Sequence, residues 1–127
     1  MKESGQKVLL QKWADANNIV AEKILGVTGT SDIWGCVKGR FFTIELKNVN
    51  AAVKIKPTPI QLQRILKVVG AGGFAIAASL STGACYVVAY TKSQFDPVNE
   101  MKLDYYNFPG FEEFTAWFLF RATGDHR

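Results

Sequence analysis

Apolar positions along the chain follow two different periods. Over residues 6–17, Leu9, Trp13 and Ala16 recur at helical spacing, with Lys7, Gln11 and Asp15 elsewhere around the wheel. The spacing predicts an amphipathic helix, which Asn17-Asn18 ends. Residues 19–25 are a short strand candidate, and residues 26–31 a turn-rich link. Residues 32–37 and 40–47 flank Lys38-Gly39, the two-residue connection of a hairpin. The second arm alternates. Phe42, Ile44 and Leu46 share one face, and Phe41, Thr43, Glu45 and Lys47 share the other.

Residues 48–56 are polar, carry Lys54 and Lys56, and read as a mobile loop. Thr58-Pro59-Ile60-Gln61 then opens a helix that runs to Gly70. Thr58 is a good N-cap, Pro59 suits the first helical position, and Gln61 completes a capping box. Residues 74–79 and 84–90 are two further strands, and residues 111–121 a final helix. The predicted order is α-β-β-β-α-β-β-α, an α/β fold with a mixed central sheet flanked by helices.

A 23-residue stretch without charge, residues 68–90, has the length of a membrane helix. Gly70, Gly72, Gly73 and Gly83 interrupt it, and Ser79, Ser81 and Thr82 cluster within it. It therefore reads as a helix end, a strand, a turn and a second strand, with no membrane partner. The polar start, Met1-Lys2-Glu3-Ser4, does not read as a signal peptide.

The length, 127 residues with 48% hydrophobic and 20% charged, fits one domain with a packed core. Cys36 and Cys85 lack metal-ligand or disulfide-scaffold spacing and read as small buried hydrophobes in a reduced, cytoplasmic setting. His126, the only histidine, reads as a tail residue. Charge is uneven. Residues 1–70 hold eleven Lys/Arg against five Asp/Glu, whereas residues 71–127 hold four against six. The basic first half suits a polyanionic partner such as DNA, or is simply a solvated surface.

One cluster carries candidate chemistry. Glu45 and Lys47 leave the same face of one strand, and the hairpin brings Asp32 near Glu45. Two carboxylates can hold Mg²⁺ (or Mn²⁺), which keeps several waters, and a lysine beside them can orient a water or offset developing negative charge. Taken singly, Glu45 and Lys47 also fit a solvated ion pair, and Asp32 a turn cap.

The ordered set is more specific. Gly29-Thr30-Ser31-Asp32, then Glu45-Leu46-Lys47, then Thr58-Pro59-Ile60-Gln61, then Gly72-Gly73 resembles the PD-(D/E)xK nuclease superfamily. More closely it resembles the small VRR-NUC branch found in bacteriophages. The likeness spans residues 3–79, with Ser31 where the superfamily has proline. It implies a restriction-endonuclease-like αβββαβ core in residues 1–90; residues 91–127, read as an aromatic C-terminal extension of the same domain, have no counterpart in it. It implies that Asp32, Glu45 and the Leu46 carbonyl bind the metal, and that Lys47 positions the water. Gln61 would stand at the rim of the site, although its capping box alone also explains it. Glu3 would match the first-helix glutamate, with Gln6 three residues on.

The implied activity is that of a Mg²⁺-dependent endodeoxyribonuclease, structure-specific in the manner of Holliday-junction resolvases. Lys38, Arg40, Lys54, Lys56 and Arg64 would grip DNA phosphates. A resolvase makes two cuts, so a homodimer is expected, with the aromatic tail as its interface; a phage-encoded chain would act in the bacterial cytoplasm. The alternatives are a non-catalytic nucleic-acid-binding module on the same fold and a phage interaction protein. Phe108, Phe111, Phe114, Trp117, Phe118 and Phe120 fit a core or a dimer interface better than base stacking.

Overall fold

The computed structural model describes residues 1–23, 32–92 and 101–124. Helix α1 (Glu3–Ala16) leads to strand β1 (Val20–Lys23), then to β2 (Ile33–Val37) and β3 (Arg40–Leu46). A single 3₁₀ turn (Ala52–Lys54) precedes α2 (Pro59–Gly70). Strands β4 (Phe74–Ser79), β5 (Cys85–Lys92) and β6 (Met101–Phe108) follow, and α3 (Phe111–Thr123) closes the described chain.

The β2–β3 hairpin sets the frame. Lys38 (φ 47°) and Gly39 (φ 81°) both occupy the left-handed region. Two such residues match the right-handed twist of the arms, the geometry of a tight hairpin turn. The register pairs Ile33 with Ile44, Gly35 with Phe42 and Val37 with Arg40. Gly35 is required here, because a Cβ would collide with the Val20 carbonyl oxygen and the Phe42 ring.

The six strands lie in the sheet in chain order. All neighbours are antiparallel except β3 and β4, which run parallel across the α2 connection. Alternation along the strands divides the core in two. On one face Ile33, Phe42, Ile44 and Leu46 pack with Leu10 and Ala14 of α1 and Phe114 and Phe118 of α3. On the other, Ala75, Ala77, Val88 and Tyr90 pack under Ile65, Val68 and Val69 of α2. Each large apolar side chain so enclosed contributes roughly 1.5–3 kcal/mol.

The uncharged stretch over residues 68–90 divides as its glycines indicated, into the end of α2, β4, a turn and most of β5. Among the described residues no helix is long and apolar enough to cross a membrane.

Several expectations are corrected. The C-terminal region holds a sixth strand, β6, which pairs with β5 along all eight residues. Strand β5 itself runs to Lys92, across the expected boundary at residue 90. The segment over residues 48–56 is pinned down: Ala52 and Ile55 are buried, and Ser79 Oγ both accepts from Val49 N and donates to Val49 O. Cys85 is buried as expected, but Cys36 is exposed, because β2 buries Ile33, Gly35 and Val37 and turns the alternate positions outward. Of the tail aromatics, Phe114 and Phe118 are buried in the chain's own core, and Phe108, Phe111 and Trp117 are partly buried against it. Phe120 alone of the six is exposed, at 63%. His126 and the turn before Asp32, residues 24–31, lie outside the described residues.

Candidate functional site

The open end of the hairpin gathers four of the expected residues. Asp32 stands just before β2, where its side chain takes over from the backbone ladder: Oδ2 accepts from Leu46 N at 2.7 Å. Its other oxygen lies 3.8 Å from Lys7 Nζ, an ion pair reaching in from α1. One step beyond the Ile33–Ile44 pair, the register sets Asp32 opposite Glu45.

Glu45 is completely buried, with 0% exposure. A carboxylate enclosed this way needs donors, since an uncompensated buried charge is costly. Gln61 Nε2 supplies one, donating to Glu45 Oε2 at 3.0 Å. Gln61 is the third residue of α2, so the positive end of that helix faces the carboxylate.

The same carboxamide takes Lys47 from its other end. Lys47 Nζ donates to Gln61 Oε1 at 3.1 Å, and Thr58 N donates to that oxygen at 2.9 Å. Gln61 N in turn donates to Thr58 Oγ1, closing the capping box. The Gln61 side chain thus completes the cap of α2 and contacts both Glu45 and Lys47.

Lys47 is fixed by three elements. Its amide donates to Ala78 O of β4 at 2.8 Å. Its carbonyl accepts from Gln6 Nε2 of α1 at 2.8 Å, and its ammonium reaches α2. Gln6 is also completely buried, and its Oε1 accepts from Leu80 N at 2.8 Å. One amide thus clasps α1 to the exits of both parallel strands. Gln6 and Lys7 are the residues that sequence reasoning did not place in the site. A polar side chain on the inner face of the first helix was the available signal for Gln6.

Glu3 makes no such contact. It is exposed in the first turn of α1, and among the described residues no hydrogen bond or ion pair joins it to Asp32, Glu45 or Lys47.

The expected phosphate contacts fall into two groups. Lys54, Lys56 and Arg64 are exposed on the 3₁₀ turn, the strand-like link after it and α2, with Lys54 Nζ donating to Asn50 Oδ1. Lys38 and Arg40 lie at the opposite end of β3, about 23 Å from Lys47 at roughly 3.3 Å per residue. There a cavity of about 780 Å³ is lined by Lys38, Arg40, Lys92 and Arg121 together with Phe74 and Tyr90. Arg40 has structural partners in that region: it donates to Arg121 O near the end of α3 and to Gly72 O after α2, and stacks over Phe74.

Tyr90 lines that cavity and is buried. Burial, then the neighbouring Tyr105 and Glu45, push its phenol well above the ordinary tyrosine range.

The two carboxylates are oxygen donors of the kind a hard divalent cation takes. The chain matches no family model, no curated protein and no solved structure.

Proposed function

We propose that this chain is a metal-dependent DNA endonuclease that hydrolyses phosphodiester bonds, on an αβββαβ core of restriction-endonuclease type. The element order from α1 to β4 is the order this reading expects, extended by β5, β6 and α3. One observation carries it: Asp32, Glu45 and Lys47 meet at one end of the hairpin, with Gln61 bridging the last two.

In this reading Asp32, Glu45 and the Leu46 carbonyl hold Mg²⁺ or Mn²⁺. The bound cation supplies charge neutralisation at the scissile phosphate and an acidified water. Lys47 presents an ammonium whose position Gln61 fixes, so that it can orient the attacking water or offset charge on phosphorus. Gln6 keeps the Lys47 backbone in place. Lys54, Lys56 and Arg64 hold backbone phosphates, and their contribution falls as salt rises. A homodimer would pair two such sites for a double cut.

Labelled duplex and four-way-junction DNA incubated with Mg²⁺ or Mn²⁺ tests the proposal. Wild type cuts and Glu45→Ala does not; equal behaviour of the two removes the assignment. A second reading, a nucleic-acid-binding module without chemistry, is favoured by one observation. Among the described residues no group of three or more His, Cys, Asp or Glu converges. Tight binding with no metal-dependent cleavage would select it.

A further inference from the structure

We propose that Trp34, Cys36 and Phe41, the exposed positions on one face of the β2–β3 hairpin, form a stacking track for unpaired nucleotides that ends beside the buried Thr43 and Glu45. The proposal rests on the nuclease reading and deepens it, naming DNA with a single-stranded segment as the substrate class.

Strand alternation places the relevant side chains in one row. Asp32, Trp34 and Cys36 share a face of β2, and Phe41, Thr43 and Glu45 share the same face of β3, with Trp34 opposite Thr43 and Cys36 opposite Phe41. From the Asp32–Glu45 step to the Cys36–Phe41 step the row extends about 13 Å, at roughly 3.3 Å per residue.

Two aromatic rings stand in the open along it, Trp34 midway and Phe41 at the turn end. Trp34 is 38% exposed and Phe41 41%, with ring centroids 5.9 Å apart and planes inclined by 34°. The aromatics on the opposite face of the sheet pack with α1 and α3; among the described residues these two belong to neither core cluster. Trp13 and Trp117 pack against the core, so Trp34 is the tryptophan presented to solvent.

Charge decides the kind of occupant. Lys38 closes the row at the turn and Lys47 closes it at the site, with Arg64 and Lys67 exposed on the neighbouring helix α2. Glu22, paired with Trp34 from β1, is the acid on the outer side, so it bounds the row there and leaves phosphates the α2 side. Cations beside exposed rings are what a polyanion with planar bases requires, because every base has a face that can stack. A duplex keeps its bases stacked inside, so these rings can engage only unpaired ones.

The test is binding of dye-labelled oligo(dT), and of duplex DNA of equal length, to the full chain in the presence of a chelator. The expected result is tighter binding of oligo(dT), accompanied by quenching of tryptophan emission. Trp34→Ala and Phe41→Ala should each weaken oligo(dT) binding about 10-fold or more. Trp34→Phe should retain binding and lose the quench. If both alanine variants fold and bind like wild type, or if oligo(dT) leaves the emission unchanged, the track is overturned.

Binding without metal reads no chemistry, so the two proposals fail separately. A protein that is quenched by oligo(dT) and never cuts keeps the track and loses the nuclease reading. One that cuts duplex DNA through Glu45 and ignores oligo(dT) does the reverse.

Discussion

Gln61 and Glu45 are joined by a hydrogen bond of 3.0 Å from a helix N-terminus to a completely buried carboxylate, and the other end of the same amide holds Lys47. Stability and chemistry are therefore coupled at Gln61. Replacing Gln61 by alanine should destabilise the fold by about 1–2 kcal/mol, through the lost cap and the lost donor to Glu45. Gln61→Glu keeps an acceptor for Thr58 N and Lys47 but sets a second carboxylate against Glu45. Its thermal midpoint should rise on adding Mg²⁺ by more than that of wild type. Melting curves with and without Mg²⁺ check both outcomes.

Gln6→Ala should cost about 3 kcal/mol. It leaves Lys47 O and Leu80 N without their donor and acceptor in a buried place, and each such loss costs roughly 1–3 kcal/mol. Urea unfolding reads the loss, and any cleavage activity should fall with it although Lys47 is intact.

Gly35→Ala should destabilise by about 1–3 kcal/mol, the usual cost of forcing extra volume into packed space. The added methyl meets the Val20 carbonyl oxygen, which belongs to a paired neighbouring strand and cannot rotate away. The urea midpoint should drop with little change in slope.

Tyr90 predicts a loss of stability in alkali. Its phenol is raised in the folded state by burial first, then by Tyr105 and Glu45. Below about pH 10 both folded and unfolded chains keep the proton, and its contribution is complete. As pH rises past that point the unfolded chain ionises first, so stability falls. Denaturant titrations between neutral and strongly alkaline pH should show that fall in wild type and a shallower one in Tyr90→Phe.

The two cysteines should separate in alkylation. Cys36 lies on the exposed side of β2, whereas Cys85 is buried and burial raises its thiol pKa. Peptide mass spectrometry after brief treatment with iodoacetamide should find Cys36 modified and Cys85 protected until the protein is unfolded.

Local signals carried much of this architecture. The Lys38-Gly39 pair marked the hairpin, and Thr58 through Gln61 marked the start of α2 with both halves of its capping box. The alternation in β3 placed Phe42, Ile44 and Leu46 on the face opposite Glu45, as observed. Strand β6 was hidden because its alternation breaks at Tyr105-Tyr106, where adjacent aromatics serve opposite faces of an edge strand. Cys36 was misplaced because β2 buries one face and leaves the other exposed, a tertiary fact that no local pattern records. At the site, Asp32, Glu45 and Lys47 were legible from hairpin geometry. Gln6 and Lys7 were not, because their contacts cross from α1 to residues 25 or more positions away.

The left-handed pair at Lys38 and Gly39 has an effect well beyond its own loop. Side chains on a strand alternate, so a shift of the hairpin by one residue would turn the whole set of Asp32 partners over. Glu45 would then face α1 and α3, and Ile44 would stand where the carboxylate now does. A bend at the far end of the ribbon thus acts as the phase-setter for the acidic end. Inserting one residue there could silence the site in a chain whose helices and sheet remain intact.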